Sequence, residues 1–148
     1  MLHALQVAAF TPLLERYGDV DTSPAREPLE KTLARLEDPA TDYYVILQGE
    51  VPVGGVRVVS QEKGRRISPI FLTPSCQGKG TGRAAMLQLE ALYPETERWT
   101  LKTILQEERL CRFYESLGYR ATGEETVLNE TMTLVHYEKN RKCQEVKG

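Results

Sequence analysis

The sequence predicts a mixed α/β domain of the α+β kind, and three observations lead there. Apolar residues recur at helical spacing over residues 2–17, valine and tyrosine crowd residues 43–60, and residues 67–103 run strand, glycine-rich loop, helix, strand. A strand, a helix and a second strand in succession imply a right-handed parallel crossover. The hairpin before it is antiparallel, so the sheet is expected to be mixed.

Leu2, Leu5, Ala9 and Leu13, with Phe10, Leu14 and Tyr17, mark a first amphipathic helix that Gly18 stops. After a turn-rich piece, Leu29, Leu33 and Leu36 mark a second, short helix that breaks at Asp38-Pro39. Residues 43–47 and 53–60 read as a hairpin closed at Gln48-Gly49-Glu50, and a polar turn over residues 61–65 leads into a third strand, residues 67–72. Pro69 lies inside that strand and cannot donate to a ladder, so the strand should be irregular, bulged or at a local edge there.

A third helix is expected over residues 81–93, burying Ala85, Leu89 and Leu92 and ending at Pro94. Residues 98–103 form the next strand. Thr103 and Gln106 have the spacing of a capping box for a fourth helix, whose stripe would be Leu110, Phe113, Tyr114 and Leu117 and whose cap would be Gly118. Two strands, residues 120–128 and 131–139, finish the fold around a turn at Asn129-Glu130, and residues 140–148 read as a charged, frayed tail. A chain of 148 residues with these elements reads as one domain, residues 1–148, with about four helices flanking a central sheet.

A net charge of −2 and a pI near 5.8 argue against a nucleic-acid partner, which would need clustered basic residues. Three cysteines, Cys76, Cys111 and Cys143, have no paired spacing, so neither a disulfide framework nor a metal site is expected. Nothing reads as a membrane span or a signal peptide, and a cytoplasmic location is the expectation.

The loop Gln77-Gly78-Lys79-Gly80-Thr81-Gly82 opens the third helix. Glycine-rich backbone at a helix N-terminus aims free N–H groups and the positive end of the helix dipole at one spot, which suits phosphate. The spacing is not that of a P-loop, and the third glycine comes one residue too early for a dinucleotide fingerprint. Taken alone, the glycines read equally well as turn and helix-start residues.

The loop does not stand alone. Residues 74–83 follow a strand and open a helix, and Phe113-Tyr114-Glu115-Ser116-Leu117-Gly118-Tyr119 follows downstream. The first stretch resembles motif A of the GNAT superfamily of N-acetyltransferases, Gln or Arg-x-x-Gly-x-Gly or Ala. The second is similar to its motif B, aromatic-Tyr-x-x-x-Gly-aromatic. The likeness runs in consistent order from about Asp42 to Lys139.

Similarity to that family implies a GNAT-like fold in which the strands at residues 67–72 and 98–103, the family's fourth and fifth, are parallel but splay apart. It implies acetyl-CoA as cosubstrate, without a metal. Main-chain groups of Ile70, Phe71 and Leu72 would hold the pantetheine arm and thioester carbonyl. The N–H groups of Gln77, Gly78, Lys79, Gly80, Thr81, Gly82 and Arg83 would cradle the pyrophosphate, with Lys79 and Arg83 either adding charge or simply solvated.

Tyr114 holds the family position whose hydroxyl protonates the departing coenzyme A sulfur; a core aromatic on the fourth helix is its other reading. The general base is not identifiable, because Glu107 and Glu108 suit a helix start for electrostatic reasons alone. Glu107 also replaces the asparagine that the family often places seven residues before this tyrosine. Thr100 and Lys102 share a strand face and could face the acceptor, where a cationic Lys102 would disfavour a polyamine. His136 reads as hydrogen-bonded scaffold, His3 as solvated and Cys76 as a small filler.

The family usually begins with a strand that is missing here, which would leave residues 43–47 as a bare hydrophobic edge and suggests a homodimer or cover by another segment. The expected activity is transfer of an acetyl group to a primary amine of a small molecule or peptide. The competing readings are a non-catalytic acyl-CoA-binding or regulatory module and a purely structural α/β interaction domain.

Overall fold

A computed structural model describes residues 1–19 and 23–141. Cys143 and most of the expected tail, residues 142–148, lie outside the described residues. The chain forms α1 (Leu2–Tyr17), α2 (Leu29–Glu37), β1 (Thr41–Gln48), β2 (Val51–Gln61), β3 (Gly64–Leu72), α3 (Thr81–Leu92), β4 (Arg98–Ile104), α4 (Glu108–Ser116), β5 (Arg120–Asn129) and β6 (Met132–Asn140), with short 3-10 helices at Pro24–Arg26 and Pro74–Cys76. The six strands follow the order β1-β2-β3-β4-β6-β5. β3 and β4 are parallel, and β1 with β2, β4 with β6 and β5 with β6 are antiparallel.

Two compact units share the chain: Met1–Val59 with Ile67–Gly82, and Ser60–Arg66 with Arg83–Gly148. In the first, α1 lays Leu2 and Ala9 onto Phe71 of β3, with Leu5, Phe10, Tyr43 and Val45 around them. Gly18, at φ 64, ends α1 as expected, its N–H returning to the Leu14 carbonyl at 2.8 Å. Glu27 is a hub: its carboxylate takes Arg35 at 2.8 and 3.1 Å, Lys31 at 3.0 Å and Gln6 at 2.8 Å. Its carbonyl lies 2.7 Å from His3 Nε2, so His3 is tied down where a solvated ring was expected.

The leucines of α2 do not form its inner face. Leu29, Leu33 and Leu36 are about half exposed, and the residue buried on this helix is Thr32. The leucine spacing located the helix correctly but not its inner side, because the Arg35–Glu27 pair turns the other face inward.

In the second unit Trp99, Tyr119 and Met86 are fully buried. α3 buries Met86, Leu89 and Glu90, leaving the expected Leu92 exposed. The capping box expected for α4 does not form: Thr103 belongs to β4, the Gln106 side chain instead accepts from the Thr133 N–H at 3.0 Å, and α4 starts at Glu108 without a side-chain cap. Asn140 closes β6, and the Arg141 N–H donates to the Glu97 carbonyl at 2.8 Å.

Candidate active site

The first unit supplies main chain. β3 and β4 pair only at Arg65 with Trp99 and Arg66 with Thr100, so the residues of β3 from Ile67 onward make no ladder with β4. Pro69, joined to Ser68 by a cis peptide, removes one more donor from this stretch. Phe71 is buried against Phe10, ring centroids 6.1 Å apart, while Ile70 and Leu72 are half-buried.

Two glycines of β2 bring its backbone against β3. A Cβ on Gly54 would lie 2.0 Å from the Phe71 carbonyl oxygen, and one on Gly55 would lie 2.8 Å from both Leu2 and the Phe71 ring. The Thr73 N–H then donates to the Val53 carbonyl at 2.8 Å. The main chain at the end of β3 is thus fixed from the β2 side.

The loop that follows is exposed from Gln77 to Gly80. Gly78 and Gly80 take φ values of 77 and 79, a region that side chains disfavour. A Cβ on Gly80 would meet nothing within 4 Å, so conformation, not space, calls for glycine there. Gln77 braces the loop by donating from Nε2 to the Leu72 carbonyl at 3.0 Å, and its N–H, expected among the cradle donors, is instead taken by the Pro74 carbonyl at 3.3 Å, closing the short 3-10 turn.

Among the described residues, the N–H groups of Gly78, Lys79 and Gly80 donate to no protein acceptor. The first-turn N–H groups of α3, at Thr81 and Gly82, are free by the geometry of any helix start. Five consecutive donors therefore sit at the positive end of α3, an arrangement that accepts phosphate oxygens. Cys76 is buried just ahead of the loop. Hydrogen bonds with Thr73 and Ser75, aided by the Lys79 charge, hold its thiol below the usual range against the opposing effect of burial.

The second unit supplies side chains. Arg83, in the first turn of α3, reaches Ser116 Oγ at the end of α4 at 3.3 Å. Tyr114 of α4 is buried among aromatic rings, with centroids 5.1 Å from Phe113, 6.1 Å from Tyr119 and 6.5 Å from Tyr137. Its hydroxyl has no hydrogen-bond partner among the described residues, whereas its neighbours are engaged. Tyr119 donates to Glu90 at 3.0 Å and Tyr137 to Glu115 at 2.7 Å. Burial, with a smaller contribution from Cys111, pushes the Tyr114 phenol up, so it keeps its proton throughout the neutral range.

Glu107 sits at the start of α4, where its carbonyl accepts from the N–H groups of Leu110 and Cys111 at 3.0 and 3.1 Å. Glu108 makes an exposed ion pair with Arg112 at 3.5 Å. His136 is hydrogen-bonded to Thr126 Oγ1 at 2.9 Å, as its strand position suggested.

Sequence reasoning passed over Glu90 altogether. This buried carboxylate accepts Tyr119 and pairs with Lys139 at 2.7 Å, while the Glu90 carbonyl accepts from Arg141 at 2.9 Å. The available signal was a lone acid in the otherwise apolar stripe Met86, Leu89 and Tyr93.

The model of the acetyltransferase (GNAT) family matches residues 5–119. The uncharacterized protein YrkN of Bacillus subtilis (strain 168) is 31% identical over 113 residues, which are 74% of this chain; the chain spans 60% of that relative's length. Among solved structures, an acetyltransferase from Thermus thermophilus superposes with a TM-score of 0.72 at 20% identity, covering 95% of this chain and 88% of the other. The ribosomal-protein-S18-alanine N-acetyltransferase of Escherichia coli gives 0.69 at 16% identity, covering 93% of both chains. A GNAT family acetyltransferase from Elizabethkingia anophelis with acetyl-CoA bound gives 0.63 at 12% identity, covering 77% and 84%.

Proposed function

The chain belongs to the acetyltransferase (GNAT) family, and from that premise we propose that it transfers an acetyl group from acetyl-CoA directly to a primary amine of a small molecule or peptide. The observation that carries this reading is the run of unpaired N–H groups from Gly78 through Gly82 at the head of α3. Backbone donors at a helix start suit a pyrophosphate without selecting a base.

In this reading the main chain of Ile70, Phe71 and Leu72 pairs with the amides of the pantetheine arm. Lys79 and Arg83 add charge beside the phosphates. Acetyl-CoA supplies the activated acyl group. The neutral amine nitrogen forms the new bond to the acyl carbon as the carbon–sulfur bond breaks, the thiolate takes the hydroxyl proton of Tyr114, and the proton that the nitrogen sheds passes through solvent to restore the phenol. Tyr114 suits that role because its proton is not committed to another protein group.

Calorimetry with acetyl-CoA tests the cofactor reading, and micromolar binding is expected. Tyr114→Phe should leave that affinity nearly unchanged and lower kcat for thiol release by about a hundredfold, within the span of acid–base contributions. An unchanged kcat would remove the acid role. Binding of acetyl-CoA with no thiol release for any amine would instead identify a non-catalytic acyl-CoA-binding module.

A further inference from the structure

The second unit carries one sheet face that no helix residue named above occupies. Side chains alternate along β4, so buried Trp99, Leu101 and Thr103 point one way and Arg98, Thr100 and Lys102 the other. Arg66 pairs with Thr100, and Lys102 pairs with His136. Paired residues share a face, and neighbouring strands lie about 4.8 Å apart. Arg66, Thr100, Lys102 and His136 therefore stand together on the open side of the sheet.

The charges on this face do not balance. Glu138 is taken by Arg98 at 3.0 Å and by Asn140 at 3.3 Å, and Glu124 lies 3.5 Å from His136. Among the described residues, neither the Arg66 guanidinium nor the Lys102 ammonium has a hydrogen-bond or ion-pair partner. Arg66 Nε is moreover out of contact with solvent, and a buried donor without an acceptor is costly. Thr100, the neighbour of both cations, also borders a cavity of about 210 Å³ whose other walls are Gln61, Glu62, Lys63, Gly64 and Arg98.

Arg66 is the last residue of β3 paired to β4. We propose that Arg66 and Lys102 bind a carboxylate carried by the acceptor, so that the acceptor class is an amine bearing a carboxylate, such as an amino acid, and not a polyamine. This rests on the acetyl transfer proposed above. Guanidinium forks match carboxylates in a bidentate manner, an ammonium adds a second attraction, and both repel a polycationic chain.

The test uses acceptor pairs that differ only in the carboxylate, L-lysine with cadaverine and L-leucine with 3-methylbutylamine, assayed by thiol release from acetyl-CoA. The carboxylated member should be preferred at least about tenfold in kcat/KM, the scale of one charge-assisted contact. Arg66→Gln and, separately, Lys102→Gln should bring that preference toward one by raising KM for the carboxylated amine. Lys102 is exposed, so its variant reads out recognition even if the Arg66 variant folds poorly.

Equal or better use of the decarboxylated amines, or a preference untouched in the Lys102 variant, would overturn the proposal. So would binding of acetyl-CoA without turnover of any of the four amines, which leaves the cofactor reading standing. Failure to bind acetyl-CoA at all would bring down the proposed acetyl transfer itself.

Discussion

The two units meet their chemical tasks with different materials. In the first, the functional surface is main chain: the end of β3, two glycines of β2 pressed against it, and a loop whose donors are peptide N–H groups. In the second it is side chains: Tyr114 in its aromatic setting, the Glu90 pair, and the open face with Arg66 and Lys102. A main-chain site tolerates changes of side chain but not a change of backbone position. A side-chain site keeps its fold through many substitutions and loses individual contacts one at a time.

The sharpest way to break the contrast is a single methyl group in the first unit. In Gly54→Ala the new Cβ would sit 2.0 Å from a carbonyl oxygen, which cannot rotate away as a side chain could. Separating β2 from β3 there should cost about 3 kcal/mol or more, at the upper end of overpacking effects. Thermal and urea unfolding would register it, and acetyl-CoA affinity should fall with it because the end of β3 is displaced. A variant of wild-type stability would show that this backbone is not held as tightly as the contacts imply.

This division also explains what could be read in advance. A main-chain site announces itself through glycine and proline, and Gln77 to Gly82, Pro69, Pro94 and Gly118 marked the loop, the odd strand and two helix ends at their observed places. The first hairpin and the parallel crossover followed as well, whereas the insertion of β6 between β4 and β5 had no signal in the spacing. Facing was less legible. Leu29, Leu33 and Leu36 have helical spacing whichever side of α2 points inward, and only the Arg35–Glu27 pair, formed across a turn, decides it. Gln106 fits a capping box by spacing, yet its oxygen is taken by the distant Thr133 N–H. Arg66 and Lys102 became neighbours only once β3 and β4 were paired in register. The spacing of one chain segment carries no information about partners supplied by another.

The second unit should yield more gradually. Glu90 is 5% exposed and balances Lys139 while accepting the Tyr119 hydroxyl. Glu90→Gln leaves the Lys139 ammonium, itself only 20% exposed, without its counter-charge. Breaking a buried pair from one side costs about 3–5 kcal/mol, and the residual exposure of Lys139 lowers the expected loss to about 2 kcal/mol in urea unfolding. Adding Lys139→Met to the same variant should recover much of that loss, since no unpaired charge remains. If the double variant is no more stable than Glu90→Gln, the carboxylate acts through Tyr119 and not through the ion pair.

The smallest expected effect tests a place where the first unit leans on side-chain charge. Burial opposes ionisation of Glu27, but hydrogen bonds from Arg35, Lys31 and Gln6 outweigh it and hold the carboxyl below its ordinary value of 4.5. A carboxylate depressed in the folded state adds stability that is complete above its unfolded pKa and is lost as pH falls through the folded one. Unfolding midpoints should therefore hold between pH 7 and 5, then fall progressively below about 4.5, with about 1–2 kcal/mol attached to this group, the worth of a charge-assisted hydrogen bond. In Glu27→Gln stability at pH 7 drops by that amount and the acid-side slope becomes shallower, because a glutamine has no proton to gain. Equal acid slopes in the two proteins would mean that Arg35 and Lys31 lie near Glu27 without stabilising its charge, and that α2 is held in place by packing alone.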